Sequence, residues 1–480
     1  MSTEHIESIT PSHRAPENPA IEISSSVHPY EERAIEQPGT SLSWNWRDAL
    51  YLLALVLLVV VMAWRYTPDF TGEVAGEWWD PLLNMWTLSW DTTTLVHAPM
   101  HLWQAPLLYP NALTLSYSEN LLGEVLFYGP VFLLTHNPVM AYNVTFYLIL
   151  LLCGVNMYIA ARYYTGKRLA AFVAALIYAF APYRLGQIDH IHIIAGAWIP
   201  LAFLTLDRAL QRGGWRHWSL FALCYLLQLL SSIYYGIFLS YALLAYTLIR
   251  YTWPLVGQLR RQRKAYLIYL LRRSVQPLVV FAALVALLGT LMMPYLLSLR
   301  SGLGRSLAQT ADFSAFVGDF GFSAPFNWLH GIAAYNGVPL LLDSEHYLFL
   351  GWTTLALALL GVILALRQRH PAIRAYMWTA LLVLLFAFGP ALQFSAPGGA
   401  PLISHPAPSG APAPQPYAPG VPMPWLLAYY VLPGFKGLRV PARLVGVLLL
   451  MLALLAAYAV AWLQEITESR SEQPGRLRRG

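Results

Sequence analysis

The chain has 480 residues, of which 57% are hydrophobic, 14% aromatic and only 11% charged. Soluble domains carry roughly a quarter charged residues, so this composition excludes an ordinary globular fold and indicates a polytopic membrane protein. The formal net charge of +6 gives no reason to expect a nucleic-acid partner, because the arginines cluster beside apolar segments, as membrane orientation demands.

Residues 1–46 mix Glu, Ser, Pro and Arg without periodicity. They read as a disordered cytoplasmic tail, with too little apolar surface to offset the entropy of ordering. The apolar run Ala49 to Trp64 follows this long tail and lacks a small-residue cleavage site, so it reads as a first transmembrane helix and not as a removed signal. From Tyr66 to Ala161 there is no Lys or Arg, yet this stretch carries Asp69, Glu73, Glu77, Asp80, Asp91, Glu119 and Glu124. Cation-poor loops are the ones translocated, so residues 65–137 are expected to form a first external loop with interfacial helices. Within it, Leu121 to Leu134 holds Glu124, Gly129 and Pro130 and reads as an interfacial or re-entrant helix.

Further apolar runs follow at Val139–Ala161, Leu169–Pro182, Ile193–Leu206, Trp218–Ser232, Tyr234–Ile249, Val275–Leu297, Tyr347–Leu366, Ala375–Leu392 and Val440–Leu463. The expected fold is therefore all-α, a transmembrane helical bundle of about ten spans over residues 47–463. If Val139–Ala161 runs inward, the inside receives Arg162, Lys167 and Arg168, then Arg208, Arg212 and Arg216, the basic stretch from Arg250 to Arg273, Arg367 to Arg374, and a basic tail at 464–480. That places both termini in the cytoplasm, with the bundle in the cytoplasmic (inner) membrane. The remaining outside segments are Arg184–His192, Arg300–His346 and a Pro-rich external loop at 395–424 expected to be extended. Cys153 and Cys224 lie inside apolar runs and read as small buried hydrophobes.

Three groups of residues suggest chemistry. Asp80 immediately precedes Pro81, which suits an N-cap before a first helical residue and would fix a carboxylate at the membrane surface. A carboxylate held there is placed to take a proton from an acceptor hydroxyl. Lys436, Arg439 and Arg443 stand at the outer end of the last span, against the positive-inside trend. Cations on that side need a reason, which is either a functional one or snorkelling to headgroups. Asp189, His190 and His192 sit in the loop between two spans and suit substrate hydrogen bonding, with Asn84, Glu119 and Asn120 as further substrate-binding candidates. The Phe-rich loop Asp312–Trp328, with Asp319 and Asn327, reads as an interfacial anchor.

Several stretches carry a resemblance. They are Asp80-Pro-Leu-Leu-Asn84 with Trp86 and Trp90, Tyr109-Pro110, Ser118-Glu-Asn-Leu-Leu-Gly123 and Asn137-Pro-Val-X-Ala-Tyr-Asn143. Ala181-Pro-Tyr-Arg-Leu185, Leu432-Pro-Gly-Phe435 and Leu438-Arg-Val-Pro-Ala-Arg443 continue it. Together they resemble bacterial multi-pass proteins of the GT-C glycosyltransferase superfamily, over most of residues 65–460. The resemblance implies a polyprenyl-phosphate-linked sugar donor, inverting transfer to a glycan, lipid or protein acceptor on the outer face of the membrane, and a catalytic acidic residue early in the first external loop. Asp80 matches that position, with Glu77 as the alternative, and the outer arginines would hold the donor phosphate. The chain lacks an adjacent acidic pair: Glu77 and Asp80 are three apart. Metal use stays open, with Glu77, Asp80, Glu119 and Asp189 as oxygen ligands for a divalent cation such as Mg or Mn. Two other classes remain, a lipid or solute transporter and a non-catalytic GT-C-like envelope-assembly protein. Ion-driven transporters keep ionisable groups near mid-membrane, and these spans are nearly free of them.

Overall fold

The computed structural model describes residues 43–76, 79–261, 263–300, 304–324, 344–368, 370–394 and 420–471. The chain is mostly helical. Among the described residues, seven helical stretches are long and apolar enough to cross a membrane: Trp46–Trp64, Pro138–Thr165, Arg168–Gly186, Ile191–Arg212, Ile233–Gly257, Leu270–Leu291 and Pro441–Ser469. Three further helices expected as spans, Trp215–Ser231, Trp352–Gln368 and Pro371–Ala387, have 17 residues each. At 1.5 Å per residue each is about 26 Å long, just short of a hydrocarbon core of roughly 30 Å.

We label the principal helices α1 (Trp46–Trp64), α2 (Asp80–His97), α3 (Val125–Thr135), α4 (Pro138–Thr165), α5 (Arg168–Phe180), α6 (Ile199–Arg212), α7 (Trp215–Ser231), α8 (Ile233–Arg261), α9 (Arg263–Leu291), α10 (Trp352–Gln368), α11 (Pro371–Ala387) and α12 (Val445–Ser471). Most starts are legible in the sequence. Asn45 accepts from the Arg47 amide at 3.0 Å ahead of α1, and Asn137 accepts from the Met140 amide at 2.9 Å ahead of α4, where Pro138 takes the first helical position. Gly166, at φ +68°, closes α4 in the left-handed conformation that glycine adopts at least cost. α3, with 11 residues, is too short to cross. α12 continues to Ser471, past the expected start of the tail at 464, where Glu468 accepts from Lys167 Nζ at 2.6 Å. The one described strand pair is two residues long, Ala391 opposite Pro422 and Leu392 opposite Val421, antiparallel. Most of the Pro-rich loop (395–419), the N-terminal tail to residue 42, Glu77, Asn327 and residues 472–480 lie outside the described residues.

α12 lies at the centre. In its apolar window 83% of residues are buried, against none in that of α9, which is also apolar enough to cross a membrane and packs at the edge beside α7 and α8. One end of the bundle gathers the cation-rich turns around two buried carboxylates. Asp48 accepts from Tyr158 Oη at 2.9 Å and Arg168 Nε at 3.0 Å. Asp207 accepts from Arg250 Nε at 2.9 Å, Tyr246 Oη at 3.1 Å, Tyr251 Oη at 2.5 Å and Gln211 Nε2 at 2.9 Å. Because successive helices alternate direction, the opposite end collects the starts of α2, α4, α8, α10 and α12, and the site is built there.

Candidate functional site

The approach to Asp80 is pinned by Asn143, one full turn into α4. Its Nδ2 donates to the carbonyls of Phe70 at 3.0 Å and Glu73 at 2.8 Å, and its Oδ1 accepts from the Ala75 amide at 2.9 Å. Asn137 adds a bond to the Thr71 carbonyl at 3.1 Å. The chain then turns at Gly76, φ +103°, where any Cβ would lie 2.6 Å from Asp189 Oδ1. A side chain is thus excluded twice, by conformation and by space. The Asn-Pro-Val-X-Ala-Tyr-Asn stretch acts as a clamp for the loop that delivers Asp80.

Asp80 is itself the first residue of α2, with Trp79 in the cap position and no side-chain cap hydrogen bond. The expected capping role is therefore corrected. The carboxylate turns away from the helix start because His190 offers a stronger partner: Asp80 Oδ2 and His190 Nε2 are 2.9 Å apart. The His190 hydrogen bond holds the Asp80 carboxyl below the usual carboxylate range against the opposing effect of burial, helped by the charges of His190, Arg443 and Arg439. Asp80 stays half exposed, while the His190 side chain is only 12% exposed. About half of the Asp80 side chain thus remains accessible while its histidine partner is covered. Asn84, one turn further along α2, donates to the Asp189 carbonyl at 3.4 Å and ties α2 to the His190 loop.

Arg443 comes from the turn that opens the last span. Its Nε and Nη2 lie 2.9 Å and 2.5 Å from Glu345 Oε1, its Nη1 lies 3.4 Å from His192 Nε2, and its guanidinium stacks over Tyr234 at 4.7 Å from the ring centroid. Both members of the pair are buried, with side-chain exposures of 6% and 4%. Burial raises the Glu345 carboxyl, but the charge and hydrogen bond of Arg443 together with the charges of His190 and Arg439 outweigh it and leave the group below its ordinary value. Arg443 is therefore already engaged, and the expectation that it directly meets a phosphate is corrected. Arg439 is half-buried with its guanidinium 4.5 Å from the Phe313 ring centroid, and its amide donates to Tyr234 Oη at 3.0 Å. Lys436 is exposed, and its carbonyl accepts from the Arg305 amide at 2.9 Å.

Glu119 and Asn120 stand elsewhere. Glu119 caps α8: its carboxylate accepts from the amides of Ile233 at 2.7 Å and Tyr234 at 3.3 Å. Asn120 donates to Tyr295 Oη at 3.2 Å and accepts from the Leu122 amide at 3.0 Å. Glu119 is committed to α8 because the start of a helix leaves donors that only a nearby acceptor can satisfy. Glu119 acts at one remove, since the helix start it fixes carries Tyr234, which supports both arginines. Gly123 permits this seam: a Cβ there would lie 2.2 Å from Ser231 Oγ and 2.7 Å from the Ser231 amide nitrogen.

Glu345 and Tyr234 were not singled out from sequence. Glu345 stands two residues before the apolar run that begins at Tyr347, and that position was the signal available. Asp319 binds His346 at 2.8 Å, and the imidazole stacks on Phe316 with centroids 4.9 Å apart, so this pair anchors the turn that carries Glu345. Among the described residues no group of three or more His, Cys, Asp or Glu is arranged to hold a metal ion. The expected oxygen set is dispersed, with Glu119 committed to a helix start and Glu77 outside the described residues.

Beside the arginines, an open apolar cavity of about 300 Å³ runs between α8 and α11, lined by Phe238, Tyr241, Leu248, Phe386, Phe435 and Leu444 among others. Leu444 directly follows Arg443, and Phe435 directly precedes Lys436, so the cavity adjoins the cationic turn. No family model, curated protein or solved structure matches the chain.

Proposed function

We propose that the protein is a GT-C-like membrane glycosyltransferase of about ten spans, which moves a sugar from a polyprenyl-phosphate donor to an acceptor on the outer face of the cytoplasmic membrane. The observation that carries this reading is a half-exposed Asp80 carboxylate bound to His190, whose ring centroid lies 5.8 Å from that of His192, the neighbour of Arg443 from the far end of the chain. A transfer of this kind needs a proton acceptor on one side of the anomeric carbon and a cation on the other. Asp80 accepts the proton of the acceptor hydroxyl as the new C–O bond forms. The bond from the anomeric carbon to the phosphate oxygen breaks, and its electron pair leaves with the phosphate. Arg439 and Lys436 stabilise that oxyanion, while Arg443, held by Glu345, sets the positive potential behind them. The adjoining apolar cavity suits the prenyl chain.

The test is turnover by the purified protein in lipid nanodiscs, offered a panel of polyprenyl-phosphate sugars with Asp80→Asn alongside. Loss of turnover in the variant, by about 10²- to 10⁴-fold with donor binding retained, is the expected result. Donor binding without turnover in the wild type would favour a non-catalytic assembly role. No binding at all would return the transporter reading to the front.

A further inference from the structure

At the cation-rich end of the bundle, one carboxylate stands among more guanidinium groups than it can serve. Asp207, near the end of α6, is buried and accepts from Arg250 Nε at 2.9 Å, Gln211 Nε2 at 2.9 Å and the hydroxyls of Tyr246 at 3.1 Å, Tyr251 at 2.5 Å and Tyr164 at 3.3 Å. An ionised carboxylate offers about four lone-pair sites, so these donors use it up. Arg208, the next residue of α6, gets no share of it and instead lies over the Tyr163 ring, 5.6 Å from the centroid. Arg212 follows one turn later and is exposed. The Tyr163 hydroxyl is within electrostatic reach of Arg208, Arg212 and Arg250 alike, which brings the three charges together where α4, α6 and α8 end. The carbonyls of Leu210 and Gln211, at the end of α6, already accept from Arg273 Nη2 of α9 at 2.7 Å and 2.5 Å.

Two guanidinium nitrogens in this group, Arg208 Nε and Arg250 Nη1, are buried and have no hydrogen-bond partner among the described residues. The Arg250 side chain is only 9% exposed. A covered N–H without an acceptor is costly, and most costly on a charged group. We infer that Arg208, Arg212 and Arg250 form a binding site for a phosphate ester, supplied by the headgroup of an anionic phospholipid.

A phosphodiester has two unesterified oxygens that share its negative charge, and guanidinium N–H groups meet such oxygens in pairs. The level of the cluster selects a lipid as the source. Arg250 lies about 26 Å along α8 from its start at Ile233, at 1.5 Å per residue. That distance approaches the roughly 30 Å of a hydrocarbon core, so the guanidinium stands level with the headgroups of one leaflet. An arginine that only snorkels reaches the headgroups with an exposed tip. The Arg250 side chain is covered instead, so the phosphate enters between the helix ends to meet it. Three guanidiniums bonded to a single carboxylate among the described residues leave a positive excess, which favours a net-anionic headgroup over a zwitterionic one. The site lies at the opposite end of the bundle from Asp80, and its occupancy does not depend on the transfer chemistry.

The test is native mass spectrometry of the full-length protein in detergent, titrated with phosphatidylglycerol, phosphatidylcholine or glycerol 3-phosphate. The wild type should hold its first phosphatidylglycerol about tenfold more tightly than phosphatidylcholine, and glycerol 3-phosphate should not displace it. Arg208→Gln combined with Arg212→Gln should weaken that binding about tenfold. Arg208→Lys, which keeps the charge and loses the paired donors, should fall between the two. Arg47→Gln removes an exposed cation at the same end of the bundle and should leave the affinity unchanged. Equal affinity for the two lipids, or an equal loss in Arg47→Gln, would overturn the site. Displacement of the lipid by glycerol 3-phosphate at matching concentration would overturn the lipid source and assign the guanidiniums to a soluble phosphate ester. The wild-type comparison and the lysine variant decide the question even if the double variant fails to fold.

Discussion

Replacing Glu345 by Gln removes the charge that balances Arg443 and leaves the guanidinium buried between His192 at 3.4 Å and the Tyr234 ring. Arg443 meets a single carboxylate oxygen with two nitrogens at 2.5 Å and 2.9 Å, and both side chains are about 95% covered. Removing one partner of such a pair costs about 3–5 kcal/mol, because the surviving charge keeps its desolvation penalty. Replacing both, with Glu345→Leu and Arg443→Met, leaves no charge behind and should cost markedly less than the sum of the single changes. The coupling energy from the double-mutant cycle should be about 3 kcal/mol. Reversible denaturant unfolding in mixed micelles, followed by tryptophan fluorescence, measures all four proteins. Single variants that each lose less than about 1 kcal/mol, or strictly additive losses, would refute the view of Glu345 and Arg443 as one buried unit. The pair also predicts a pH dependence. Glu345 titrates below its ordinary value of 4.5 in the folded protein, so its contribution is present above that value and lost as pH falls through the depressed one. The gap between wild type and Glu345→Gln should therefore narrow under acid conditions.

Asn143→Ala leaves the carbonyls of Phe70 and Glu73 and the Ala75 amide without their partner. It should destabilise the protein by about 1–3 kcal/mol and lower turnover through misplacement of Asp80, read by unfolding and activity on the same preparation. Asp91 is fully buried on α2, and neither oxygen has a hydrogen-bond partner among the described residues, so burial pushes its carboxyl well above the ordinary value. A raised group contributes stability below its unfolded pKa and loses it as pH rises. Asp91→Asn should accordingly raise the unfolding midpoint at neutral pH, with the gain shrinking toward pH 4, in thermal scans across that range. Gly123→Ala should cost about 1–3 kcal/mol by forcing the Ser118–Gly123 stretch off the α7–α8 junction, and hydrogen exchange at Ile233 and Tyr234 should rise with it.

Much of this protein is written in local chemistry. Apolar runs separated by basic turns give the helices and their alternation, because backbone groups in a bilayer must be satisfied within the helix itself. Asn137 before Pro138 and Asn45 before Trp46 mark helix starts through bonds that span only two or three residues. The acidic loop and the cationic turn before the last span stand out for the same reason, as charge set against a compositional trend. High hydropathy alone does not tell that α12 is the core and α9 an edge, since both are apolar enough to cross a membrane and lipid and protein interior accept the same apolar side chains. Nor does sequence reveal whether a polar residue is free to act. Glu119 and Asp80 look alike in one loop, yet one is consumed by the start of α8 and the other is left half exposed beside His190. Glu345 gains its role from a residue 98 positions away in the chain. Hydrogen bonds and ion pairs act over about 3 Å, and only the packed helices decide which distant groups come that close.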